Sequence, residues 1–267
     1  IGADVSAVDL YQERDTPLHR LDPRVKLAGV TVFFLACLTF VHPAYVASIS
    51  ACVLLGAVAA HALGVLWRMR VLLVLLCLFA GLLWSLFAKG ETPLRPGWPT
   101  WITRESALYG LGTGLRLATM VAAGLVFLAV TRVEEFALGL QRLGAPFVIT
   151  FAFSTAFRLV PGFLASAATV VAAQRSRGLD LESGSLFRRL ARYLPLLIPV
   201  MASAIRNTDL MAMALESRGF RAQPRRTSLI ELHLRGRDWL ALALLLALAA
   251  ASLWLRLKGY GAVPGVR

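Results

Sequence analysis

Ala173-Gln174-Arg175-Ser176-Arg177-Gly178-Leu179-Asp180 is answered 41 residues later by Ala214-Leu215-Glu216-Ser217-Arg218-Gly219-Phe220-Arg221. Both copies place an Ala three residues before the Ser, and an apolar residue followed by a charge after the Gly. Each closes a long, mostly apolar run, Phe147 to Ala173 in the first case and Tyr193 to Leu215 in the second. Gly just past a helix end is a common stop, and Arg in the last turn suits the helix dipole. A single copy would need no other reading. Two copies in matching context predict two helices that end on the same exposed cation, both offered to one partner. Guanidinium pairs with carboxylates through two parallel hydrogen bonds, so an arginine on a rigid helix can pass force to an acidic groove.

Composition says where such helices lie. The chain has 267 residues, 58% hydrophobic and 16% charged, whereas soluble domains are roughly 45–50% apolar and about 25% charged. An all-α, polytopic membrane protein follows. The net charge of +13 then marks cytoplasmic loops and not nucleic-acid binding. Cys37, Cys52 and Cys77 sit inside apolar runs, spaced for neither zinc nor a disulfide framework. The first 26 residues lack the short apolar core of a secretory signal.

Asp22 before Pro23 predicts a helix start, with an acceptor at the cap and proline at the first helical position. Arg20, Arg24 and Lys26 precede the first apolar run and place segment 1–26 in the cytoplasm. The runs that follow are 27–41, 44–67, 71–88 and 107–131. His42-Pro43 reads as an outer hairpin turn, and Arg68-Met69-Arg70 as a return to the inside. Lys89 to Arg104 holds three prolines with Trp98 and Trp101, which suits an outer loop lying on the headgroups. In the fourth run Gly110, Gly114, Ala118 and Ala122 recur every four residues. That ridge allows close helix approach, either to a separate membrane subunit or within the chain. From Leu27 to Ala88 there is no Asp or Glu, which argues against an ion-coupled transporter.

Alternation then fails. Thr131 is expected to cap a short amphipathic helix whose apolar face is Val133, Phe136, Ala137, Leu140 and Leu143, stopped by Gly144-Ala145-Pro146. Beyond it, Arg175 to Arg226 holds ten arginines against four carboxylates, +6 of the chain's +13. Both apolar runs of this region therefore have cytoplasm-like charge at both ends. Arg158, Arg206 and Asp209 lie inside them, where a lipid-facing charge costs about 3 kcal/mol. Pro161, Pro195 and Pro199 are expected to kink them. The simplest solution keeps 132–234 at the cytoplasmic surface, with about five crossings completed by a C-terminal membrane helix within 235–267. The basic flank before Trp239 directs that last helix outward.

With these residues in view, the chain resembles the transmembrane coupling (T) component of energy-coupling-factor transporters, the EcfT/CbiQ family. Members carry two Ala-Arg-Gly-like motifs on cytoplasmic coupling helices. Here both read Ser-Arg-Gly, which departs at the first position and keeps the arginine. Leu18-His19-Arg20-Leu21-Asp22-Pro23-Arg24-Val25-Lys26-Leu27 is similar to the family's opening, with Asp22, Pro23, Arg24 and Lys26 as its motif. Val133-Glu134-Glu135-Phe136 leading into Leu140 to Pro146 is similar as well. The resemblance implies two cytoplasmic ABC-type ATPases, engaged by Arg177 and Arg218 with their flanking Ser176, Gly178, Ser217 and Gly219. It also implies a membrane-embedded substrate-binding S component that reorients to release a vitamin or a cobalt or nickel ion. ATP and magnesium would reside on the ATPases and no cofactor on this chain, in the inner membrane of a prokaryote. No glycine-rich phosphate loop occurs in the sequence.

Two other classes remain as rivals. An intramembrane enzyme needs a metal or nucleophile constellation, and His19, His42, His61 and His233 are scattered without a His-Glu-x-x-His pattern. His61 reads as a packed or interfacial side chain. A self-sufficient secondary carrier should show inverted repeats and polar sites at mid-membrane, and neither is evident.

Overall fold

The computed structural model describes residues 14, 16–88, 103–178, 186–220 and 234–261, with the backbone alone at 186–192 and 194. The loop with Trp98 and Trp101, and the residues Asp180, Glu182, Arg221, Arg225, Arg226 and His233, lie outside that description. The described residues form α-helices: α1 (Pro23–Thr39), α2 (Pro43–Ala59), α3 (Leu63–Arg68), α4 (Arg70–Phe87), α5 (Arg104–Val130), α6 (Val133–Arg142), α7 (Phe147–Ser176), α8 (Leu186–Ser217) and α9 (Gly236–Leu257). The expected all-α membrane class is what the structure shows. By length and hydropathy α4, α5, α7 and α9 could each cross a bilayer, with α2 a shorter apolar helix.

Two compact units divide the chain, one holding the described residues up to 146 together with 234–261, the other 147–220. In the larger unit the helices are tied at both ends. Asp22 caps α1, its carboxylate accepting from the Arg24 amide at 2.9 Å, with Pro23 at the first position, as the sequence predicts. The Asp22 amide in turn donates to the Asp238 carboxylate at 2.9 Å, 216 residues away. Asp238 also accepts from the Arg235 amide at 2.7 Å. This fully buried carboxylate is thus held by amide donors at a helix N-terminus, where negative charge is favoured. At the other end, the Gly261 carbonyl accepts from the amides of Val41 and His42 at 3.0 and 3.1 Å. Helices α1 and α9 therefore run parallel, and whichever side receives the start of α1 also receives the start of α9.

Backbone contacts at glycine build the rest. Gly110 and Gly114 of α5 lie on Gly81, Ser85 and Cys77 of α4, so closely that a Cβ at either would overlap α4 backbone. The neighbouring Gly112 is pressed on the Val41 carbonyl of the α1–α2 turn. Three glycines in two turns thus serve two different neighbours. In a bilayer such fits replace the hydrophobic effect as the source of helix association.

Two expectations are corrected. The second apolar run is not one helix to Trp67: it breaks after Ala59, with His61 at φ +53 and exposed, and α3 follows. Thr131 closes α5 instead of capping α6, whose cap residue is Arg132. The apolar face of α6 counted above packs only in part, with Val133 and Phe136 half-buried. Leu140 and Leu143 are exposed, and the buried residues are Ala137 and Gly139. A Cβ on Gly139 would sit 3.0 Å from Pro23 and 3.1 Å from Leu27, so α6 lies flat on the start of α1.

Candidate coupling site

In the smaller unit both repeats close their helices as the glycine rule requires. Ser176 and Ser217 are the last residues of α7 and α8. Gly178 and Gly219 follow at φ +88 and +71, a conformation that costs an L residue roughly 1–2 kcal/mol and glycine almost nothing. The Gly178 amide returns to the Arg175 carbonyl and the Gly219 amide to the Glu216 carbonyl, each at 2.9 Å. Each serine hydroxyl donates back into its own helix, Ser176 to the Ala172 carbonyl at 3.1 Å and Ser217 to the Ala214 carbonyl at 3.0 Å. The serines and glycines are thus spent on the stop, and what is left over is the arginine. Arg177 and Arg218 are exposed, with no side-chain partner among the described residues.

The two tips do not share one end of the helix pair. Phe220, just past the second motif, packs its ring on Phe151 at 4.5 Å and on Phe147 at 5.9 Å, in the first turns of α7. Arg177 terminates that same helix. At 1.5 Å per residue the span from Phe151 to Arg177 places the two arginines on the order of 40 Å apart. Pro161, Pro195 and Pro199 lie inside α7 and α8, and both helices continue through them.

The surface between the tips is apolar and open. Phe153, Phe157, Val160 and Leu164 form a stripe along α7, each 39–49% exposed. Leu197, Met201 and Ile205 do the same on α8. Such a stripe is normal in lipid or under a partner and costly in water. Arg158, Arg206 and Asp209 are exposed on the same helices.

In the larger unit the motif residues of the N-terminal segment have a structural use that the sequence reading did not find. Lys26 is not a free positive flank. Its side chain is only 5% exposed, and its ammonium donates to the His19 carbonyl at 2.9 Å, the Val130 carbonyl at 3.1 Å and the Glu135 carboxylate at 2.9 Å. All three donors of the ammonium are satisfied, which is the condition for burying it. This amine joins the segment before α1, the end of α5 and the first turn of α6. Asp22 and Pro23 are buried beside it, and Arg24 is half-buried. Of the small-residue ridge, Gly110 and Gly114 face α4, Ala122 is buried in the core with Ala57 and Val53, and Ala118 is half-buried. Arg116, in the middle of α5, is a charge that the hydropathy reading passes over; its Nε is buried with no hydrogen-bond partner among the described residues. Among the described residues no three His, Cys, Asp or Glu side chains gather as a metal site.

Comparison with known proteins gives the family. The model of the CbiQ family, described as cobalt transport protein, matches residues 14–229. The energy-coupling factor transporter transmembrane protein EcfT of Heliobacterium modesticaldum is 32% identical over 86% of this chain and 89% of its own. That of Thermanaerovibrio acidaminovorans is 31% identical over 92% and 94%, and that of Bacillus selenitireducens 26% over 96% and 99%. The matched region takes in both Ser-Arg-Gly turns, the capped start of α1 and the α6 contact, and the chain belongs to the CbiQ family of energy-coupling factor transmembrane proteins.

Proposed function

We propose that this chain is the energy-coupling subunit of an ATP-driven importer, joining two cytoplasmic ABC-type ATPases to a membrane-embedded S component. The observation that carries the reading is the pair of exposed arginines on glycine-stopped helix ends, without a side-chain partner among the described residues. Their separation of roughly 40 Å, at 1.5 Å per residue, is too great for one groove and suits one ATPase at each tip. Movement of the ATPases would turn the α7–α8 pair as a lever. The S component would lie on the open apolar stripes of that pair, and its reorientation would release a vitamin or a cobalt or nickel ion. The ridge at Gly110 and Gly114, packed on α4, is left to hold the bundle. The chain itself would do no chemistry and bind no nucleotide. The protein would reside in the inner membrane of a prokaryote, with segment 1–26 and residues 132–234 on the cytoplasmic side. Length and hydropathy would let α7 cross; the positive charge at both of its ends favours a helix that stays on the inner face.

The test is co-purification. Wild-type protein should bring down two ATPase subunits from membranes, and the Arg177→Ala, Arg218→Ala double variant should insert normally and bring down neither. A carrier acting alone would bring down none with either protein. For the side, a cysteine placed at Ser183 should resist impermeant reagents applied to intact cells; labelling from outside would refute the cytoplasmic placement.

A further inference from the structure

The coupling reading makes no use of α3, the short helix between the break at His61 and the start of α4. One side of α3 is core. Val65 and Leu66, with Ala62 just before them, are buried together with Ala129 and Val130 of α5. Helix α3 therefore sits at the end of the bundle where Lys26 holds the Val130 carbonyl.

The other side is apolar and uncovered. Leu63 and Trp67 of α3, then Val71, Val74, Leu78 and Leu82 of α4, follow one another at three or four residues, each 47–71% exposed. That spacing keeps side chains on one helix face. Helix α4 is long and apolar enough to cross a bilayer, where lipid chains cover such a row. The row runs on to Trp67 and Leu63 with no polar residue in it.

Cations stand where the row leaves α4. Arg68 closes α3 and Arg70 opens α4, and both are exposed. The Arg70 guanidinium lies 4.2 Å over the Trp67 ring, which holds it beside the apolar row. No Asp or Glu occurs from Leu27 to Ala88, and neither arginine has an ion-pair partner among the described residues. Guanidinium takes phosphate through two parallel hydrogen bonds, and tryptophan favours the boundary between membrane and water. An acidic protein surface would answer the arginines and leave the apolar row unexplained. A phospholipid answers both, phosphate above and chain below.

We propose that α3 and the start of α4 bind one anionic phospholipid of the adjoining leaflet, its phosphate on Arg68 and Arg70 and an acyl chain along Trp67, Val71 and Val74. The two charges select for a lipid of net negative charge, because in a zwitterionic lipid the phosphate is already answered by its own ammonium group.

Native mass spectrometry of the full-length protein tests this, after detergent exchange and titration with dioleoyl phosphatidylglycerol or, separately, dioleoyl phosphatidylcholine. The unmutated protein should retain phosphatidylglycerol at the lower lipid concentration. An arginine at an anionic membrane surface is worth about fivefold, so the Arg68→Gln, Arg70→Gln double variant should need roughly tenfold or more phosphatidylglycerol for the same retention. The Arg104→Gln, Arg142→Gln double variant removes as much exposed charge elsewhere and should leave retention unchanged. Equal weakening in the two double variants would overturn the proposal. So would unchanged retention in the first, even if that variant loses a co-purifying protein, for the arginines would then serve an acidic protein surface. Equal retention of both lipids by the unmutated protein would overturn it without any variant.

Discussion

The larger and the smaller unit solve opposite problems with the same residue. In the larger unit glycine removes a side chain so that helices can touch: Gly110 and Gly114 against α4, Gly112 against the α1–α2 turn, Gly139 against Pro23. In the smaller unit glycine removes a conformational penalty so that a helix can stop, at Gly178 and Gly219, where nothing lies within 4 Å of a Cβ on Gly178. The charges divide likewise. Lys26 is buried and saturated, whereas Arg177 and Arg218 are exposed and without a side-chain partner among the described residues. The larger unit holds its buried cation within the chain, and the smaller one presents its cations at exposed helix ends. Substitutions that wreck the first should unfold the protein, and those that wreck the second should leave it folded and idle.

The largest effect is expected at the glycine contacts. Gly112→Val drives a side chain into the Val41 carbonyl and should cost about 3 kcal/mol. In a thermal-stability assay in detergent this should read as loss of the folded, monodisperse species, and Gly114→Leu should do the same. Next comes the Lys26 node. Lys26→Met leaves the His19 and Val130 carbonyls and the Glu135 carboxylate without their donor, at a cost of about 2 kcal/mol. Glu135→Gln keeps an acceptor and, because Glu135 is a third exposed, should cost under about 1 kcal/mol; equal losses would break the account of this node. Phe220→Ala removes the ring that seats the end of α8 on α7 and should cost about 1 kcal/mol, while loosening the placement of Arg218. The smallest effect on stability is expected at Arg177→Ala and Arg218→Ala, within about 0.5 kcal/mol of wild type.

What the sequence revealed was local. The cap at Asp22 and Pro23, the stop at Gly144 and the glycine ends of α7 and α8 are written in consecutive residues and were all legible. The break at His61 was not, because the Ala59-Ala60-His61-Ala62 stretch holds no glycine or proline, and alanine is the best helix former. Pairings between distant segments were equally hidden. The Lys26 contacts with Val130 and Glu135 and the Asp22 contact with Asp238 join residues more than a hundred positions apart, and no periodicity encodes them. The repeat of Ser-Arg-Gly was visible at once, yet the placement of its copies at opposite ends of α7 depended on Phe220, one more aromatic in an apolar chain.

The central claim is that both arginine tips engage ATPases, and photo-crosslinking in native membranes tests it most directly. A benzophenone side chain placed at Ser176 or at Ser217 lies beside each arginine on an exposed turn. The account predicts that each position crosslinks to an ATPase subunit, and that a chain carrying both captures two. Efficient crosslinking to lipid alone at both positions, with no ATPase captured at either, would contradict it.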